Sequence, residues 1–271
     1  MTTQTTTIDL APDAALEAAL GGLRTSAPAR VGRGALVAAG LADAYAPIQT
    51  ALGQVFVAWN GRGVSWVAAG DDGAVFERMF RAKVGRDIER ADALPERLRA
   101  AIEKRLAGDR RNRIALDLRG HTPFEVAVWT KALEIPRGEV RPYGWIAAEI
   151  GRPKAVRAVG TALAHNPVPL VVPCHRVVRS DGLIGQYSMG GPDAKRRILA
   201  AEGLDTITLE AEASRGVRYT GSDTTHIVCH PTCRDARRTT ERHRVTFPSL
   251  RAAAAAGYRP CKHCRPVSVA A

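Results

Sequence analysis

The sequence predicts a mixed α/β (α+β) protein. Its expected parts are a small strand/helix N-terminal subdomain, a winged helix-turn-helix domain and a small four-cysteine zinc domain. Three observations predict this. Apolar runs flank Asn60-Gly-Arg-Gly63 as in a β-hairpin. Two short helical patterns flank the Gly-x-Pro turn Gly151-Arg-Pro153. Four of the five cysteines lie beyond residue 228, in two short pairs.

A chain of 271 residues, 45% hydrophobic and 24% charged, has material for two domains or three small ones. No stretch reaches the ~18 uninterrupted apolar residues of a membrane span. Met1 to Leu10 has no basic residue before an apolar run, so no secretory signal is expected. The net charge of +12 is the informative quantity. Residues 215–271 hold 11 basic and 3 acidic residues, whereas residues 204–214 hold three acids and no base. A strongly basic terminal block is the electrostatic footprint of a nucleic-acid binder; a merely basic soluble protein is the other reading.

In chain order, residues 1–45 are expected to be a Thr-rich tail and a helix over Asp13–Leu23. Residues 46–119 read as a support subdomain. It has the hairpin Gln54–Trp59 and Gly63–Ala68, a helix over Leu94–Leu106 and a strand over Ile114–Leu118. Residues 120–205 are mainly helical. Pro123 opens a helix over Phe124–Leu133, and the paired helices from Tyr143 and Ala155 follow, the second stopping ahead of Pro167. That second helix has an apolar stripe (Val156, Val159, Leu163), small residues elsewhere and one long cation, Arg157. It fits a groove-reading helix or an αα-hairpin packed in the core. Asp181-Gly182 between Val177-Val178 and Leu183-Ile184 reads as a hairpin, which would form a wing. Lys195–Glu202 is a last basic helix, capped by Gly203. Residues 206–214 read as a linker, and 215–268 as the zinc domain.

Cys229, Cys233, Cys261 and Cys264 form C-x3-C and C-x2-C, joined by a long loop. Each pair can close one edge of a tetrahedron, which suits Zn²⁺. Two disulfides are the alternative, which the lack of a targeting signal disfavours. Cys174 stands alone in Pro-Leu-Val-Val-Pro-Cys-His-Arg-Val-Val. A lone cysteine among apolar residues is commonly a small buried hydrophobe. Beside His175 it can also become a nucleophilic thiolate, directly or through a water.

The motifs Phe124-Glu-Val-Ala-Val-Trp129, Ile135-Pro-x-Gly-Glu139, Tyr143-Gly144, Pro153-Lys-Ala-x-Arg157-Ala-Val159, Asn166-Pro167, Pro173-Cys-His-Arg-Val177, Gly185-x-Tyr187 and Glu202-Gly203 occur in this order. Residues 45–205 thereby resemble the O6-alkylguanine-DNA alkyltransferases. Thr224-Thr-His-Ile-Val-Cys229-His-Pro-Thr-Cys233 and Ala256-Gly-Tyr-Arg-Pro-Cys261-Lys-His-Cys264 resemble the zinc domain of Ada-type proteins.

The resemblance implies irreversible, single-turnover transfer of an alkyl group from O6-alkylguanine, and from O4-alkylthymine, to Cys174 after base flipping. It implies that His175 takes the thiol proton through a water and that Glu202 orients His175. Asn166 would hold the active-site turn, and Tyr143 would donate to the leaving guanine. Arg157 would fill the gap in the duplex, with Tyr187 and Ser188 on the pocket loop. The transfer needs no cofactor. In the zinc domain the resemblance implies Cys229 as a methyl acceptor from methyl phosphotriesters and Thr225, Arg237 and Arg259 as DNA contacts. His263 stands where that family usually has Arg, and the loop after Cys233 is one residue longer. The implied partner is double-stranded alkylated DNA, with no membrane, and the implied protein is a cytoplasmic, nucleoid-associated monomer. The competing reading is a non-enzymatic winged-helix/zinc DNA-binding regulator with Cys174 merely buried.

Overall fold

The computed structural model describes residues 29–267. The helix expected over Asp13–Leu23 lies outside the described residues. After helix α1 (Ala29–Ala39), strands β1 (Ala42–Thr50), β2 (Gly53–Asn60) and β3 (Gly63–Ala69) form an antiparallel meander. Helix α2 (Gly73–Val84) then returns the chain to β4 (Asp87–Arg90), which pairs parallel to β1. The sheet order is β3-β2-β1-β4.

Side chains alternate across a strand, so β2 feeds two cores. Val55, Val57 and Trp59 face the large core shared with the following helices. Phe56 and Ala58 face Tyr45, Phe76, Phe80 and Ile88 under α2. Burial on both sides explains the nearly continuous apolar run Val55–Trp59.

The hairpin forms as the sequence predicts, and Asn60 does more than turn the chain. Its Nδ2 donates to Asp43 (2.9 Å) and Asp117 (2.8 Å), and its Oδ1 accepts from the Arg62 amide. Arg86 reaches both aspartates, at 2.7 and 3.1 Å, and Arg119 pairs with Asp117, so the buried carboxylates are compensated. Residues Ile114–Leu118 do not form the expected strand. They make a single bridge, Leu116 to Val64. The segment is held instead by Val64, whose amide donates to Ala115 and whose carbonyl accepts from Asp117.

The second layer contains α3 (Glu96–Leu106) and α4 (Pro123–Ala132). Thr122 and Glu125 close a reciprocal capping box on α4. The Trp129 indole in α4 donates to the carbonyl of Ala162 in α6 (Val156–Ala164) at 2.8 Å. Helix α5 (Tyr143–Glu149) completes the helix-turn-helix. Val159, Ala162 and Leu163 of α6 are buried, and Arg157, Ala158 and Thr161 are exposed. The helix therefore packs in the core on one face and presents Arg157 on the other.

Two expectations need correction here. Val177-Val178 does not fold back on Leu183-Ile184 as a hairpin ladder. As strand β6 it pairs parallel with β5 (Arg141–Pro142), while Glu210 takes the Ile184 amide, so only a turn remains between Arg179 and Leu183. Residues 206–214 are not a free linker. They form helix α8 (Thr206–Ser214), which follows α7 (Gly191–Ala201) and is capped by Asp205. Leu209 packs with Val140, Val178, Ile184, Leu199 and Leu204. Acidic Glu210 and Glu212 of this segment pair with Arg196 and Arg244.

The last unit is a four-stranded sheet of order β10-β8-β7-β9, built from Tyr219–Ser222 (β7), Ile227–Cys229 (β8), Arg244–Phe247 (β9) and Arg259–Pro260 (β10). It docks on the preceding domain. The Val140 amide donates to Thr232 Oγ1 (2.9 Å) and the Arg234 amide to Glu139 (3.1 Å). Arg265 pairs with Glu149 and Glu134.

Gly63 joins β2 to β3 at φ +138°, and a Cβ there would lie 2.2 Å from the Ala115 carbonyl oxygen. Gly63→Ala is expected to cost about 1–3 kcal/mol, the range for a forced backbone conformation. Gly85→Ala, at φ +72° in open space, should cost less. Urea unfolding of the two variants checks the order.

Candidate active site and zinc centre

Cys174 sits at the end of a proline-rich turn that Asn166 ties together. Asn166 Oδ1 accepts from the Val168 amide at 3.0 Å, and Nδ2 donates to the Val172 carbonyl and to Cys174 Sγ, both at 3.1 Å. The Val67 amide of β3 donates to the Pro167 carbonyl, linking the support sheet to the same turn. Cys174–Arg176 then form a 3-10 turn rather than a strand. Arg141-Pro142 pairs with Val177-Val178, and this delivers Tyr143, the first residue of α5, to the site.

His175 is 1% exposed, and its Nε2 lies 3.0 Å from Glu202 Oε1. Burial holds the imidazole below its ordinary pKa, so it is neutral. Burial also pushes the Glu202 carboxyl up. The hydrogen bonds of His175 and Arg176, with the charge of Arg176, outweigh that and hold it at about 2. An ionised carboxylate can only accept, so the imidazole proton resides on Nε2. Nδ1 is left with a free lone pair, and it is a buried atom with no partner in the protein. Arg176 fixes Glu202 from the other side at 2.7 to 3.1 Å, and the Gly138 amide donates to it at 3.3 Å.

Burial raises the Cys174 thiol, and the Asn166 hydrogen bond and the Lys195 charge pull it back. Lys195 was not anticipated from the sequence. It is 1% exposed and donates to the Val177 carbonyl at 2.6 Å. Its ammonium lies 6.0 Å from the centre of the Tyr143 ring. Burial lowers its pKa to about 8, while Cys174 acts in the opposite direction. The signal was present: Lys195 shares the apolar stripe of α7 with Ile198 and Leu199, where a lysine is out of place. Arg176 was likewise inside a quoted motif but assigned no role.

Tyr143 is half-buried, and burial, then Cys174, raise its phenol. The Tyr187 ring lies edge-on to His175 at 6.2 Å. Asn166, Pro169, Ser188 and Met189 line a groove of about 990 Å³, whose far wall is Trp66–Ala69 of β3. Cys174 does not line this groove, but Asn166, which does, donates to its Sγ. Arg157 is exposed on α6, away from the residues lining the groove.

In the C-terminal unit, parallel pairing of β8 with β10 brings Cys229, Cys233, Cys261 and Cys264 together. All four are buried, and their sulfurs lie within 4.8 Å of one another. Zn–S bonds of about 2.3 Å place tetrahedral ligands ~3.8 Å apart, so the set fits Zn²⁺. The His230 amide donates to Cys264 Sγ (3.4 Å) and the His263 amide to Cys261 Sγ (3.3 Å), as thiolate ligands require. The cysteines are free, not paired in disulfides.

Cys229 also lines a cleft of about 400 Å³, together with Thr225, Asp235, Arg238, Thr240 and His243. Of the three expected DNA contacts, only Thr225 lines it. Arg237 turns toward the other domain, where its guanidinium meets Gly138, and Arg238 takes the cleft position. Arg259 is exposed on β10, outside the cleft.

Residues 123–204 match the family model of the 6-O-methylguanine DNA methyltransferase DNA-binding domain, and residues 205–267 match that of the metal-binding domain of Ada. The chain belongs to the methylated-DNA–protein-cysteine methyltransferase family. Among its relatives, the methyltransferase of Mycobacterium tuberculosis is 51% identical over 89 residues, 33% of this chain and 53% of that one. The mouse methyltransferase is 48% identical over 95 residues, 35% of this chain and 44% of that one. The bifunctional transcriptional activator/DNA repair enzyme Ada of Escherichia coli is 39% identical over 155 residues, 55% of this chain and 43% of that one. This chain thus spans about half the length of the curated methyltransferases it matches. The crystal structure of M. tuberculosis OGT in complex with DNA aligns with 62% of this chain and 99% of that one, at 31% identity and a TM-score of 0.48.

Because Glu202 is held at about 2 against an ordinary 4.5, its stabilisation is present above pH 4.5 and is lost as pH falls toward 2. Glu202→Gln is expected to be on the order of 3 kcal/mol less stable at pH 6, with the gap to wild type closing as pH drops from 4.5. Chemical unfolding of both proteins across this range measures it.

Proposed function

We propose that the chain repairs DNA by taking the alkyl group of O6-alkylguanine irreversibly onto Cys174. The observation that carries this reading is the polarity of the His175 ring. Glu202 occupies Nε2, so the one free basic atom next to Cys174 is Nδ1. A cysteine that only filled core volume would need no such arrangement.

In this mechanism Arg157 and the exposed face of α6 engage the duplex, and the damaged nucleotide leaves the stack. That costs a few kcal/mol, offset by the contacts of the inserted side chain. The Cys174 proton passes through a water to His175 Nδ1, and Glu202 stabilises the resulting imidazolium. The thiolate attacks the alkyl carbon. One S–C bond forms as the C–O6 bond breaks, and the electron pair leaves with the guanine. The Tyr143 hydroxyl donates to the departing ring, lowering the cost of its negative charge. Asn166 and charged Lys195 favour the thiolate before attack. No group in the site can hydrolyse the thioether, so each chain acts once, without a cofactor.

We propose the same chemistry, on a methyl phosphotriester, for Cys229. Cys229, Cys233, Cys261 and Cys264 would hold Zn²⁺, which would keep them as thiolates. Cys229 is the ligand that lines a cleft, and Thr225, Arg238 and Thr240 beside it offer donors to a phosphate. Among the described residues no helix is long and apolar enough to cross a membrane. The regulator alternative gives no role to the free Nδ1.

Duplex carrying labelled O6-methylguanine is expected to transfer one label per chain to the Cys174 peptide, seen by mass spectrometry. Cys174→Ala should transfer none, and His175→Gln should slow transfer by about 10²–10⁴-fold, the usual worth of a positioned base. DNA binding without transfer would falsify the repair reading.

With a labelled methyl phosphotriester, label is expected on the Cys229 peptide. Arg238→Ala should lower the transfer rate more than Arg237→Ala. Label retained in Cys229→Ala would remove the second assignment.

A further inference from the structure

A cavity of about 320 Å³ lies where the three parts of the molecule meet. Its wall includes Arg110 from the support subdomain, Trp145, Arg141, Glu134 and Glu139 from the helix-turn-helix domain, and Arg234, His263 and Arg265 from the zinc domain. Four arginines and two glutamates line it, with Glu149 and Asp235 paired to Arg265 and Arg234.

Two of its residues carry buried donors with no acceptor. Arg141 and Trp145 are each 3% exposed. The Arg141 guanidinium donates to the Val140 carbonyl and to Glu139, but its Nε has no partner. The Trp145 Nε1 has none either. The Arg141 and Arg265 guanidinium carbons each lie 5.8 Å from the centre of the Trp145 ring. An unmet buried N–H costs roughly 1–3 kcal/mol, so two in one wall imply a missing acceptor.

We infer that this cavity is a binding site for a small phosphate dianion, of the inorganic phosphate or phosphate-monoester class. One oxyanion could accept from both Arg141 Nε and Trp145 Nε1, the two donors left without a partner. The volume is at the lower end for small-molecule sites and leaves room for a substituent. The ligand would bridge Arg141 and Trp145 to Arg234, His263 and Arg265, and so brace the zinc domain against its neighbour. The site uses neither Cys174 nor Cys229, so it stands or falls independently of the proposed transfers.

The test is calorimetric titration of the zinc-loaded full chain with inorganic phosphate at constant ionic strength, with 5′-dGMP and unmodified duplex as competitors. One saturable phosphate per chain is expected. Trp145→Phe removes one donor and keeps the ring, and Arg234→Gln keeps the amide that Glu139 accepts. Each should weaken binding at least tenfold with zinc content unchanged. Competition by dGMP assigns a mononucleotide as occupant; its failure assigns free phosphate. Absence of saturable binding, affinity unchanged from wild type in either variant, or displacement by the duplex overturns the inference.

Discussion

The Glu202 carboxylate is the anchor of this molecule. It sits at the end of α7 and receives His175 and Arg176 from the 3-10 turn and the Gly138 amide from the chain before β5. A buried carboxylate is tolerable only when its lone pairs are filled. Here filling them sets the direction of the His175 ring, and that ring direction leaves a base beside the sulfur. The same ion cluster draws in the α4–β5 turn, on whose outer side the zinc domain rests. Stability and chemistry are therefore one electrostatic problem solved by three segments far apart in sequence.

Much of this was legible in the sequence, for identifiable reasons. The hairpin at Asn60-Gly61, the Pro123 helix start and the paired helices rest on local rules, and local rules read well. The cysteine spacing was legible because a tetrahedron limits loop lengths. The candidate residues Cys174, His175, Glu202 and Asn166 came from motif order, and the structure brings them together through hydrogen bonds.

The misses share a cause. Ile114–Leu118 has a strand's composition, yet a neighbour with a free ladder edge is what makes a strand, and only Val64 meets it. Val177-Val178 chose the partner upstream over the adjacent turn because that pairing also closes the core over Lys195. Residues 206–214 read as a linker because their acids were counted without the arginines that meet them, Arg196 and Arg244, which lie on other elements. Each error came from judging a segment without its distant neighbour.

The replacement of a tether by α8 has a geometric consequence. A flexible joint absorbs insertions; a helix converts them into rotation. Each added residue would turn everything downstream by about 100° and advance it ~1.5 Å. The seams at Val140–Thr232 and Glu139–Arg234 tolerate no such phase error. The nine residues of α8 therefore act as a gauge block that sets the relative aim of the Cys174 and Cys229 sites within one chain.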